Sequence, residues 1–205
     1  MRLVSSPLPR CVETAQAIAD AVSSAASSPR PESSSSEPDL APLILEQDDR
    51  LVECRYGEWT GQQISELTKD PLWITVQLQP SAARFPGGES MPEVSARAIA
   101  AVRDVNSQLD DTAVWVACSH GDVIKAILAD ALGMHLDAFQ RIVVDPCSVS
   151  VVRYTAERPY VLRMNDTTGD LAMFASSAKV SDTGSAEDPA SSGPTIGGGT
   201  GSGAI

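Results

Sequence analysis

Three side chains in this 205-residue chain have types and neighbourhoods suited to chemistry. His120 lies in CSHGD, where an apolar run ends and a helical pattern begins. Arg10 lies in SSPLPRC, in the first turn of another helical pattern, and Glu53 lies in LVECRYGEWTG, a charged loop that also holds Tyr56, Trp59 and two glycines. An imidazole at a helix start, followed by Gly121, can join the free backbone N–H groups there in holding an anion. A guanidinium can grip phosphate oxygens with two parallel bonds, and a carboxylate in an ordered loop can deliver a proton. Each residue also has a plainer reading: His120 satisfying nearby backbone groups, Arg10 as solvated surface charge, Glu53 as a neighbour of Arg50 and Arg55. The second histidine, His135, falls in a helix connection and reads as surface.

The elements that must hold these side chains follow from periodicity. Residues 1–5 read as the end of a buried strand, and residues 7–22 as a helix with Ser6 as cap and Pro7 in its first turn. Residues 23–41 are rich in Ser, Pro and Glu and read as a flexible loop. PLILE at 42–46 is a short strand. Helical pieces follow near 62–69 and 71–79, separated at Pro71. After the turn signal RFPGGES, Ser90 and Glu93 form a capping box for a helix to about Leu109, with Val94, Ile99, Val102 and Val105 inward. TAVWVACS at 112–119 reads as a central strand buried on both faces, residues 122–133 as a helix, and 148–156 and 160–165 as closing strands. The alternation predicts an α/β sandwich with a mostly parallel sheet and helices on both faces, in which ligands gather beyond the carboxyl ends of the strands.

Composition narrows the partners. Lys and Arg number 15 against 27 Asp and Glu, a net charge of −12 that disfavours nucleic acid and anionic membrane surfaces. A small anionic substrate stays open, because a few arginines set the local sign. The four cysteines, Cys11, Cys54, Cys118 and Cys147, lack zinc or disulfide-module spacing and read as reduced thiols, Cys118 as a core residue and Cys54 as one solvent can reach. No signal segment or membrane-length apolar run occurs, so a cytoplasmic protein is expected, without cofactor or metal. One domain is expected over 1–165. From 166 to 205 the chain turns to Ser, Gly, Asp and Ala, a disordered tail whose GGGTGSGAI lacks the strand and helix of a phosphate loop.

Taken in order, SSPLPRCVETA, LVECRYGEWTG, FPGGES and VACSHGDVIKAIL resemble the histidine phosphatase superfamily, the phosphoglycerate-mutase-like proteins, over roughly residues 3–156. The resemblance implies a three-layer α/β/α sandwich and transfer of a phosphoryl group through a phosphohistidine. It implies Arg10 as a phosphate-binding arginine, His120 (followed by Gly121) as a donor to phosphate oxygens, and Glu53 as the general acid. In-line transfer spreads negative charge over three equatorial oxygens, which Arg10 and His120 would stabilise, while Glu53 protonates the leaving alkoxide.

The family's Arg-His-Gly motif, which carries its nucleophilic histidine, does not occur in residues 1–205. The resemblance therefore predicts that Met1 is an internal start, that the first strand and helix lie upstream, and that the chain by itself is inactive. Between Gly61 and Arg97 the basic residues are Lys69 and Arg84, while Leu72, Trp73, Ile74 and Phe85 offer an apolar wall. A phosphomonoesterase acting on a small phosphorylated metabolite is thus expected, with a mutase or a non-catalytic phosphate-binding protein as alternatives and a homodimer among the assemblies allowed.

Overall fold

The computed structural model describes residues 1–27, 43–110 and 112–168. Its strands are β1 (Arg2–Ser5), β2 (Ile44–Gln47), β3 (Trp115–Cys118), β4 (Val149–Tyr154) and β5 (Pro159–Asp166). Its α-helices are α1 (Pro9–Ser27), α2 (Ile64–Leu67), α3 (Pro71–Leu78), α4 (Met91–Ser107) and α5 (Gly121–Ala131). β1 lies between β2 and β3 in a parallel sheet, with Leu3 opposite both Leu45 and Val116.

Alternation along β1 divides the layers. Leu3 packs with Cys11, Ala15 and Ala19, which recur every four residues on one face of α1. Val4 points to the other face, against Leu51 and the α4 residues Ala101 and Val105. The sheet is thus sandwiched between α1 and α4, the α/β/α layering expected. Beyond α4, α5 contributes Val123, Leu128 and Ala129 to the largest core cluster, with Tyr56, Trp59, Phe85, Met91 and Val94. α4 starts at a full capping box: Glu93 N donates to Ser90 Oγ, and Ser90 N donates to the Glu93 carboxylate at 2.8 Å. Such a cap is worth about 1 kcal/mol and fixes where the helix begins.

Four expectations change. The first helix runs Pro9–Ser27, five residues into the supposed loop, because the Ser/Ala run continues the α1 pattern and Ser23 Oγ donates to the Ala19 carbonyl. The helix opens at Pro9, after Pro7, and Ser6 is engaged elsewhere. TAVWVACS is not buried on both faces: β3 is four residues long, pairs with β1 along one edge, and leaves Val114 and Ala117 exposed. The two closing strands are present as expected and form their own antiparallel hairpin, apart from the parallel sheet. Phe85 is a core side chain, edge-on to Tyr56 and Trp59, and forms no pocket wall. Most of the predicted loop and nearly all of the predicted tail lie outside the described residues.

Candidate active site

The carboxyl ends of all three parallel strands lead to the predicted residues. β1 runs into Ser6 and, one turn on, Arg10; β2 leads through Asp48 to Glu53; β3 runs into Ser119 and His120. Parallel pairing brings these ends to one edge of the sheet.

His120 is buried at the N-cap of α5, and its ring is fixed by groups from the residue after β1 and from α1. Nε2 lies 2.8 Å from Ser6 Oγ, and Cys11 Sγ lies 3.5 Å from the same nitrogen. Ser6 Oγ accepts from Leu8 N, so its own proton is available to Nε2. Cys11 in turn donates to the Ser119 carbonyl. Burial, and then the positive charges of Arg10 and Arg97, hold His120 neutral by lowering its pKa to about 4.

Glu53 is held by an interlock between two glycine-bearing loops. A Cβ on Gly57 would lie 2.1 Å from the Pro86 carbonyl oxygen, and one on Gly88 would lie 2.1 Å from that of Arg55. Only glycine permits these backbones to touch, and Gly57 also has φ +56°. Once touching, they bond: Glu58 N donates to the Pro86 carbonyl at 2.9 Å and Glu89 N to the Arg55 carbonyl at 2.8 Å. The order of LVECRYGEWTG thus comes from FPGGES lying against it.

Glu53 is 7 % exposed, and its carboxyl accepts from Cys54 N at 2.9 Å. Burial, and then the charge of Asp122, push its pKa up to about 7, poised to give or take a proton near neutrality. Asp122 is fixed by Tyr56, whose hydroxyl donates to it at 2.9 Å. Arg10 is exposed at the start of α1, and its charge acts on Glu53, His120 and Cys11 together. Its guanidinium forms no hydrogen bond or ion pair with the described residues. Gly121 opens α5, and a Cβ there would meet nothing within 4 Å, so this turn faces open space.

Arg10, Glu53, His120 and Gly121 therefore converge. His135 does not: it lies beyond the far end of α5, a helix about 16 Å long, with its side chain exposed. Cys54, expected within reach of solvent, is 4 % exposed, and burial raises its thiol well above the ordinary range. Cys118 is buried as expected, its thiol pushed up to about 11. Sequence reading missed Ser6 as the partner of His120, and Asp122 and Arg97 as charges facing Glu53. Asp122 directly follows SHG, which was a usable signal; nothing local marked Arg97.

The chain is thus an α/β sandwich with an imidazole, a carboxyl and an arginine beyond the ends of its parallel strands. The sequence pattern of the histidine phosphatase superfamily (branch 1) matches residues 36–167, and the chain belongs to that superfamily. It is 29% identical over 170 residues to "Bifunctional protein Rv2228c" of Mycobacterium tuberculosis, covering 82% of this chain and 41% of that protein. The chain thus spans less than half the length of that relative. It is likewise 29% identical over 174 residues to "Probable phosphoglycerate mutase GpmB" of Yersinia pestis, covering 83% of this chain and 71% of that one. Its fold is similar to a phosphoserine phosphatase mutant from Entamoeba histolytica in complex with phosphoserine: TM-score 0.65, 21% identity, covering 83% of this chain and 76% of that chain.

Proposed function

We propose that this chain carries the phosphate-binding and proton-donating side of a phosphomonoester hydrolase that works through a phosphohistidine. One observation carries the reading: a buried carboxyl with a pKa raised to about 7 and a buried, neutral imidazole stand beyond the ends of the two parallel strands that flank β1, under the field of one exposed arginine. In that reading Arg10 and the His120 ring bind the oxygens of the transferring phosphoryl group, with the free N–H groups at Gly121 beside them. Glu53 gives its proton to the leaving alkoxide and then, as a carboxylate, takes one from the water that hydrolyses the phosphoenzyme.

Two pairings favour a phosphatase over a mutase. Between Gly61 and Arg97 the basic residues are Lys69 and Arg84, paired with Glu66 at 2.8 Å and Glu93 at 2.7 Å, so the stretch offers little surplus positive charge for a second acidic group of the substrate. The small phosphorylated metabolite is thus gripped at its phosphate.

Residues 1–205 contain no Arg-His-Gly, so this chain alone is expected to bind phosphate without turnover. Calorimetric titration with orthovanadate tests the site: weaker binding by Arg10→Ala and His120→Ala is expected, and full affinity in both would remove it. Acid-quenched labelling with a labelled phosphomonoester, and assays of a protein expressed from an upstream-extended reading frame, separate hydrolase from binding protein. Loss of turnover in the extended Glu53→Ala protein supports the hydrolase; a phosphate-binding extended protein that never turns over supports the non-catalytic reading.

A further inference from the structure

We propose that Arg97 is the positioning residue for Glu53, fixing the backbone on which that carboxyl is mounted; this rests on reading Glu53 as the acid. Nη1 of Arg97 donates to the Arg50 carbonyl at 2.7 Å, and Nη2 donates to the Glu53 carbonyl at 3.2 Å. One planar group therefore spans the loop from three residues before Glu53 to its own peptide. Nε and Nη2 also donate to the two carboxylate oxygens of Glu89, at 2.9 and 3.0 Å. Glu89 closes the ring by accepting from Arg55 N at 3.0 Å, two residues beyond Glu53. The clamp thus takes hold of the loop on both sides of the carboxyl.

The clamp is shielded from water. The Arg97 side chain is 16% exposed and that of Glu89 9%, so solvent is a poor substitute for either partner. Arg97 is carried on α4, whose start is set by the Ser90–Glu93 cap and whose next residue, Ala98, is fully buried. The guanidinium is therefore anchored to the core and does not follow the loop. Four N–H groups fanned out in one rigid plane reach four acceptor oxygens at once, which the three N–H bonds of a lysine ammonium on one nitrogen cannot do.

Fixing the loop and charging the site act on Glu53 in opposite senses. The charged and titratable groups that interact with Glu53 are Arg10 and Cys11 from α1, Arg97 from α4, Asp122 from α5, and Cys54 and Tyr56 beside it in the loop. The positive charge of Arg97 favours the carboxylate, while its grip keeps the carboxyl out of water and favours the acid. Arg97→Lys keeps the charge and loses the fork, so it isolates positioning.

The test follows the Glu53 carboxyl through pH by carbon NMR in the full chain and in Arg97→Lys, each first checked for a cooperative urea transition. Glu53 is expected to titrate about one unit lower or more in the variant, as the loosened loop admits water. An unmoved midpoint in folded Arg97→Lys protein overturns the proposal. Should that variant not fold, Glu89→Gln loosens the same clamp from its other end; a smaller downward move is expected, and an unmoved midpoint again overturns it. The readout needs no turnover, so the two readings fail separately. Full activity in an upstream-extended Glu53→Gln protein would remove the acid and leave the titration result standing.

Discussion

Ser6 Oγ and His120 Nε2, 114 residues apart in sequence, lie 2.8 Å from one another in the interior. Ser6 directly follows β1 and His120 follows β3, so this contact closes two neighbouring parallel strands at the rim where the site is built. Ser6 Oγ also accepts from Leu8 N, just before α1 opens at Pro9.

Replacing Ser6 by Ala leaves a buried imidazole nitrogen without its partner. A loss of about 1–3 kcal/mol in unfolding free energy is expected, with looser orthovanadate binding as the ring gains a second orientation. Urea denaturation and calorimetry measure the two effects; unchanged stability would mean that water fully replaces the hydroxyl.

The two buried titratable groups tilt stability in opposite directions with pH. His120 has a folded pKa of about 4 against an ordinary 6.5, so the unfolded chain binds its proton first. Its contribution is complete above pH 6.5 and declines as pH falls towards 4. Glu53 has a folded pKa of about 7 against an ordinary 4.5, so the folded chain holds its proton longer. Its contribution is complete below pH 4.5 and declines as pH rises to 7. Glu53→Gln should therefore gain on the wild type between pH 4.5 and 7, by about 2–3 kcal/mol in total. Urea transitions at both ends of that range check it; a constant difference would place the Glu53 carboxyl in water.

Arg10→Ala separates binding from folding. The guanidinium is exposed, so stability should stay within about 0.5 kcal/mol of the wild type. Orthovanadate affinity should fall roughly tenfold to a hundredfold, the worth of a charge-assisted pair of bonds. Because the Arg10 charge lowers the pKa of both Glu53 and His120, both midpoints should rise in the variant. Midpoints that stay put would detach Arg10 from the site.

Three glycines in the motifs should answer differently to alanine. Gly57→Ala and Gly88→Ala drive a methyl into backbone at 2.1 Å and should cost more than about 2 kcal/mol each, loosening the Glu53 loop. Gly121→Ala meets open space and should be neutral or slightly stabilising, while its methyl crowds an anion at the start of α5. Thermal melts with and without orthovanadate distinguish the cases. A destabilised Gly121→Ala with normal binding would reverse this assignment.

Much of the frame was legible because local rules fixed it. The Ser90–Glu93 box, the break at Pro71 and the apolar spacing of α1, α4 and α5 depend on residues within a turn or two of each other. Strand burial was less legible. A run such as TAVWVACS reads alike whether a strand has neighbours on both sides or on one, because pairing partners come from elsewhere in the chain.

The order of motifs alone identified the superfamily and named Arg10, Glu53 and His120, since each sits at a strand-to-helix or strand-to-loop junction visible in one dimension. The tertiary structure decided what surrounds them. Ser6 and Cys11 against the His120 ring, Asp122 raising Glu53, and Arg97 gripping the loop are contacts across 44 to 114 residues. Burial and charge shift a pKa through space, and separation along the chain carries no record of either.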